Sequence, residues 1–321
     1  MLKHKQLILE KIENVIRTNG IPDYTKDWHT AGNITQLSSE LEEHKFIDFL
    51  QKTVKSYHPH SSVMVNQTIS AIPSTLKHTQ KHTPKKHTNT SSPINHKRRP
   101  TLNYDARLNI GIITYYEYYL DFDDKYDKAP EFINLVSTVR ETINKWVADG
   151  MKGLIIDLRQ HTGGWYVPFV SSLHTILNGS TLFGWANTSI TPNDRKWISY
   201  INGKISYQTK LITQSDGTTH PDWKSGWNIP LAILIGQKTY SSGEFCASIF
   251  YRGNPYIRVF GEKTGGGLSV NQTFKINKLI QINIPTQLTT TVDGSFHTEQ
   301  YLMPDINTSR PITDAKKWIL S

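Results

Sequence analysis

One cysteine, Cys246, stands among 321 residues, which excludes an internal disulfide, a redox thiol pair and a cysteine-anchored zinc. No apolar run approaches the roughly 20 residues that a membrane span needs. The start, "MLKHKQLILEKIENVIRTNG", interrupts its apolar residues with charges and lacks a signal-peptide core and a small-residue cleavage site. A soluble intracellular, cytoplasmic protein with no membrane partner is therefore expected. Acid is missing from residues 73–100, which carry five lysines, two arginines and four histidines but only Leu76 and Ile94 as sizeable aliphatics. Such a stretch cannot build a core. Taking its seven positive charges from the formal net +9 leaves +2 for the rest. The basicity thus describes a solvated linker or loop rather than a binding face, and no specific nucleic-acid partner is expected, although the tract leaves a nuclear address open.

What is present divides by its rhythm. Leu9, Ile12, Val15 and Ile16 recur at three- and four-residue spacing and stop at Asn19-Gly20, and Phe46, Phe49, Leu50 and Val54 form a second stripe. Both predict amphipathic helices, so residues 1–65 read as a small helical unit, 66–103 as a basic His/Thr/Pro-rich connection, and 104–321 as a core. In that core "LNIGIITYY", "GLIIDL" and "LAILI" read as buried strands. One helix is expected to carry Phe132, Leu135, Val136, Val139, Ile143 and Val147, and another to run through Val170, Leu173, Ile176 and Leu177. Buried strands separated by helices indicate an α/β fold with a mostly parallel sheet covered on both faces. The Trp-containing stretch from about 183 to 228 shows no pattern we can assign.

In α/β proteins the functional crevice lies past the carboxyl ends of strands. "GLIIDLRQHTGG" ends in the Gly163-Gly164 turn, whose exposed N–H groups can face developing negative charge. "LAILIGQKTYSSGE" ends in a tight turn that sets a serine at a helix N-terminus, where the helix-end N–H groups favour an anion. From the local sequence alone an ordinary N-cap serine is the favoured reading of that stretch. "GEKTGGG" lacks the spacing of a phosphate loop, so no nucleotide is expected, and neither a cofactor nor a metal is indicated. Cys246 reads as packed core.

Taken in succession, "GLIIDLRQHTGG", "ILIGQKTYSSGEFCA", "VFGEKTGGG" and "EQYLMPDI" resemble the tail-specific, or C-terminal-processing, serine protease family. The likeness is closer to its branch containing tricorn protease and the interphotoreceptor retinoid-binding protein. The resemblance covers about 108–306 and implies a spiral core of the crotonase and Clp-protease type that cleaves peptide or unfolded-protein substrates through a serine acyl-enzyme. It implies Ser241 as nucleophile, in T-x-S-x-x-E from Thr239 to Glu244. The oxyanion donors it implies are the backbone N–H of Ser242 and that of Gly163 or Gly164. His60, in "YHPHSS", takes the place of the branch's base, and Glu299 that of its carboxylate.

Several departures accompany the likeness. Gly267 stands where the bacterial members carry a catalytic lysine, which leaves Lys263 as an alternative base only by a different loop path. His161 replaces the usual asparagine of the oxyanion motif and is itself a candidate donor or base. Pro59 replaces a serine before the base, for which Ser61 or Ser62 are substitutes. No segment resembles a PDZ domain. Asp157 and Arg159 are expected to tie the strand end to neighbouring loops. A non-catalytic module for apolar ligands or peptides on the same fold, and an esterase, are the rival readings.

Overall fold

The computed structural model describes residues 2–21, 43–65, 99–118, 128–177, 179–186, 196–208, 227–251, 255–291, 297 and 301–321. Glu299, and all of the basic tract 73–100 but its last two residues, lie outside them. In chain order the elements are α1 (Leu2–Asn19), α2 (Glu43–Tyr57), β1 (Ser62–Val65), β2 (Thr101–Asp105), β3 (Ile110–Tyr118), α3 (Pro130–Ala148) and β4 (Gly153–Gly164). There follow α4 (Val167–Ser172), α5 (His174–Leu177), β5 (Ser180–Ala186), β6 (Lys196–Ile201), β7 (Lys204–Gln208), β8 (Leu231–Ile235) and α6 (Ser242–Ser248). The chain closes with β9 (Ile257–Gly261), β10 (Ser269–Lys275), β11 (Ile280–Thr290), β12 (Ile306–Asn307) and α7 (Pro311–Leu320).

The chain forms two compact units. The first holds, among the described residues, 2–21, 43–65 and 269–288. The hairpin of β10 and β11, assigned by the sequence reading to the 104–321 core, thus groups with the amino-terminal helices. The periodicity explains why. Leu9, Ile12 and Ile16 of α1 and Leu50 and Val54 of α2 are fully buried, and they share one core with Ile276, Ile280, Ile282 and Ile284. An amphipathic helix pair needs a second apolar surface, and alternate residues of β11 supply it. Within this unit β11 pairs antiparallel with β1 (Ser62 opposite Asn283) and with β10 (Thr273 opposite Asn283). The Tyr57 hydroxyl donates to the Pro285 carbonyl at 2.8 Å and accepts from the Ile21 N–H at 2.8 Å, anchoring the end of α2 to the hairpin.

The second unit is built on a six-stranded sheet ordered β12-β9-β8-β4-β3-β2. All neighbours are parallel except β2, which is antiparallel to β3. All five residues of "LAILI" are buried, and the pleat explains how. Leu231, Ile233 and Ile235 join Leu154, Ile156 and Leu158 in a core with Val139, Ile143 and Trp146 of α3. Ala232 and Leu234 join Ile155 in a core with Ala315 and Ile319 of α7 on the opposite face. The expected parallel sheet covered on both faces is present.

Two local expectations need correction. The helix through Val170 and Leu177 is two short helices, because Leu173 leaves the helical region at φ −94°, ψ 31°. The unassigned stretch contains strands: β5, β6 and β7 form an antiparallel meander. Its hairpin turns at Asn202-Gly203, with φ of 50° and 77°.

Candidate active site

The adjacent parallel strands β4 and β8 release their chains at the same edge of the sheet. After β8 the turn 236–241 is pinned at several points. The buried Thr239 hydroxyl donates to the Leu158 carbonyl at 2.9 Å and accepts from the Gly236 N–H at 3.0 Å. Tyr240 N–H donates to the His161 carbonyl at 3.1 Å, and Gly265 N–H to the Thr239 carbonyl at 2.9 Å. So held, Ser241 adopts φ 52°, ψ −121°. The other described non-glycine residues with positive φ are asparagines, Asn109 and Asn202, which tolerate it far better than serine. Gly243 N–H closes onto the Tyr240 carbonyl at 2.9 Å, making Ser241 the first corner of a turn whose dihedrals ordinarily call for glycine. The side chain of Ser241 makes no capping hydrogen bond to α6. An ordinary N-cap serine has extended backbone and such a bond; Ser241 has neither.

The glycine turn at the end of β4 lies against this serine. A Cβ on Gly163 would come within 3.2 Å of Ser241 Cβ and 3.6 Å of its Oγ, and the residue sits at φ 127°. Gly164 instead approaches β3, where a Cβ would fall 2.2 Å from the Tyr118 carbonyl oxygen. Ser242 opens α6, so its N–H belongs to the group without an intrahelical acceptor. Its own hydroxyl is buried without a partner among the described residues.

His161 joins the two turns. Besides its carbonyl contact to Tyr240, its Nδ1 accepts from the Gly163 N–H at 3.3 Å, so a neutral ring carries its proton on Nε2. Burial pulls the imidazole down to about 4, which keeps it neutral. Its Nδ1 is directed at the glycine turn.

A third loop, 264–267, completes the surroundings of Ser241. A Cβ on Gly267 would lie 3.2 Å from Ser241 N, at φ 129°, so a lysine at that position would be crowded against the serine turn and strained in its backbone. Lys263, the alternative base, is exposed and holds its ammonium over the Tyr301 ring at 4.5 Å. The loop is tied down by Glu244, fully buried on α6, whose Oε1 accepts from the Thr264 hydroxyl and from the Gly266 N–H at 3.1 Å. Burial pushes the Glu244 carboxyl up to about 8, against those donors. Sequence reasoning treated Glu244 only as the end of a motif. Its contacts with a loop some 20 residues away become visible only in the fold.

His60 lies in the first unit, in the turn between α2 and β1. Its Nδ1 is 2.9 Å from the hydroxyl of the buried Ser269, and its carbonyl accepts from Asn271 Nδ2 at 2.9 Å. Its N–H donates to His58 Nδ1 at 3.0 Å. Burial, with a smaller contribution from the His58 charge, lowers His60 to about 4. The Ser61 hydroxyl, expected as a substitute bridge, is buried without a partner among the described residues, and Ser62 is taken into β1. Ser269 and Asn271 were missed because nothing in "LSVNQTF" marks them out beyond ordinary strand polarity.

The remaining expectations resolve into structure. Asp157 and Arg159 pair with one another, Nη2 to Oδ2 at 2.6 Å and Nε to Oδ1 at 2.9 Å, and the Arg159 stem lies beside Gly236 of the turn after β8. Cys246 is fully buried in the core. Asp305 of "MPDI" accepts from the Val259 N–H at 2.7 Å and so fastens β12 to β9. Among the described residues no cluster of three or more His, Cys, Asp or Glu could hold a metal ion, and no helix is long and apolar enough to cross a membrane.

Comparison with known proteins bears on the family and the fold. The chain is 30% identical over 169 residues to the nisin-resistance protein of Lactococcus lactis subsp. lactis, a match spanning 53% of this chain and 50% of the relative. It thus spans about half the length of that curated relative. In three dimensions it is similar to a lipoprotein from Streptococcus agalactiae, with TM-score 0.64, 19% identity, and 98% of this chain and 96% of the other covered. A structure from Parabacteroides merdae matches at TM-score 0.59 and 14% identity, covering 97% and 92%. At such identities these structures speak for the fold alone. The model of peptidase family S41 matches residues 109–308, the whole stretch that carries the glycine turn, the serine turn and the loop around them; the chain belongs to that family.

Proposed function

We propose that the protein is a serine peptidase that hydrolyses peptide bonds through an acyl-enzyme on Ser241. The observation that carries this reading is the backbone of Ser241. A serine held at φ 52°, ψ −121° without a capping bond stores strain that a purely structural turn would relieve by using glycine, and such strain gathers at functional sites. Its hydroxyl attacks the substrate carbonyl carbon while His60 takes its proton. The oxyanion is received by the N–H groups of Ser242 and of Gly163 or Gly164; Gly163 lies against Ser241, but its N–H donates to His161 Nδ1 and must leave that bond to serve. The C–N bond then breaks as the imidazolium returns its proton to the departing amine, and water repeats the sequence on the ester. Glu299 is the proposed carboxylate of the set. In this reading neither His161 nor Lys263 is the base: the first faces the glycine turn, the second Tyr301.

Peptides or unfolded proteins are the proposed substrates, and because a relative is named for nisin resistance, nisin belongs among those assayed. A fluorophosphonate probe tests the reading. It is expected to label Ser241 by peptide mass, to fail on Ser241→Ala and to label His60→Ala far more slowly. An unlabelled wild-type protein that cleaves no peptide between pH 6 and 9 would replace the enzyme with a binding module on the same fold.

A further inference from the structure

A general base must present an unprotonated nitrogen to its substrate, and serine hydrolases usually secure this with a carboxylate that holds the other nitrogen's proton. Around His60 the first unit offers something else. Three hydrogen bonds form a closed ring: His60 Nδ1 to Ser269 Oγ at 2.9 Å, the Ser269 hydroxyl to Asn271 Oδ1 at 3.3 Å, and Asn271 Nδ2 to the His60 carbonyl at 2.9 Å.

The proton positions in this ring follow from elimination. The His60 carbonyl can only accept, so the Asn271 amide must turn its NH2 toward it and its oxygen toward Ser269. That oxygen can also only accept, so the Ser269 proton points to it. Ser269 then has lone pairs left for His60 Nδ1, which must be the protonated nitrogen. The basic lone pair falls to Nε2. Reversing any one member sets two acceptors or two donors face to face.

The elements make the ring rigid. Ser269 and Asn271 are two apart on β10 and so share a face. The pairing of β10 with β11 slips by one residue between Val270 and Asn271, where Asn271 stands opposite Pro285. Pro285 in turn carries the Tyr57 anchor that fixes the end of α2, three residues before His60. Ser269 is 2% exposed, so water does not compete for its hydroxyl. Ser269 and Asn271 are themselves neutral, so their relay orients the ring and leaves the charge that holds an imidazolium to the proposed Glu299.

We propose that Ser269 and Asn271 are positioning residues that lock His60 into the tautomer protonated on Nδ1, with Nε2 as the proton acceptor. The proposal rests on the reading of His60 as base, and the experiment separates the two. Nitrogen-15 NMR on the full chain, with the His60 signals assigned by their loss in His60→Gln, is expected to show Nδ1 protonated and Nε2 bare at pH 7. Ser269→Ala and Asn271→Leu should shift the ring toward the other tautomer and lower kcat about 10- to 100-fold, less than the roughly 10⁴ that follows when a triad loses its carboxylate, with KM unchanged within twofold. Ser269→Thr, which keeps the hydroxyl, should restore both. Asn271→Asp should raise the acid limb of the pH profile, because a carboxylate favours the charged ring.

A wild-type His60 protonated on Nε2 overturns the relay outright, whether or not any variant folds. So does Ser269→Ala with unchanged tautomer and kcat, or a tautomer that moves in Glu299→Gln but not in Ser269→Ala. If His60→Gln stays fully active, the base reading fails instead, and the wild-type spectrum still decides the relay.

Discussion

Replacing Ser241 by glycine and, separately, by alanine isolates the strain from the chemistry. Both variants lose the hydroxyl and should lose fluorophosphonate labelling. Only glycine relieves the backbone at φ 52°, ψ −121°. Holding a side-chain-bearing residue in such a region costs about 1–3 kcal/mol, while glycine loosens the unfolded chain by about 0.5–1 kcal/mol. Ser241→Gly should therefore be more stable than Ser241→Ala by up to about 2.5 kcal/mol, about 1 kcal/mol at the middle of these ranges. Urea unfolding is the better assay, since the two units need not melt together and the linear extrapolation can be applied to the transition of the second. In a thermal scan an entropy of about 2.1 cal/mol/K per residue makes 1 kcal/mol worth only about 1–2 °C for a chain of this length. If glycine proves less stable than alanine, the backbone at Ser241 holds less strain than the glycine entropy offsets, and the serine turn gives no support to a catalytic role.

Gly163→Ala sets a methyl group against Ser241 and should lower kcat by about 10²-fold, the scale of a lost oxyanion donor; activity kept within a few-fold would shift that role to Gly164. Glu244 binds its proton more tightly in the fold, at about 8, than in the unfolded chain. The native state thus holds more protons between about pH 4.5 and 8, and stability should fall as pH rises through that window, by at most about 1.4 kcal/mol per pH unit. Glu244→Gln, a stand-in for the neutral acid, should abolish the slope in urea titrations; an unchanged slope would place its origin elsewhere. With His60 lowered to about 4, the acid limb of kcat/KM should lie well below the ordinary imidazole value and rise in His58→Gln, whereas a wild-type limb near pH 6.5 would show His60 to be more solvated than its surroundings imply.

Wherever hydrophobic period and local chemistry agreed, the fold was legible. "LAILI" and "GLIIDL" are strands because every residue can be buried when both faces are covered, and α1 and α2 follow from their stripes. The serine turn was legible as a turn, and Gly267 already argued against a lysine there. The meander β5–β7 carried its signal as well, an Asn-Gly pair between "KWISYI" and "KISYQ", which is a strong short-range mark of a hairpin. It was overlooked because β5 is buried nearly throughout and shows no alternation. The hairpin of β10 and β11 was placed with the core because chain position says nothing about which apolar surface a strand will cover.

Composition and periodicity by themselves determined an α/β chain with a parallel sheet, a helical start and a serine at the mouth of a helix, since burial and backbone preference act within a few residues. Tertiary structure alone decided that this serine is no cap, that Gly163 rather than Gly164 lies against it, and that His161 and Glu244 tie its surroundings together. It decided, too, that a serine and an asparagine more than 200 residues from His60 close a ring about the imidazole. Hydrogen bonds depend on where atoms come to rest in space, and residues so distant in the chain meet only once packing has brought their strands and turns together.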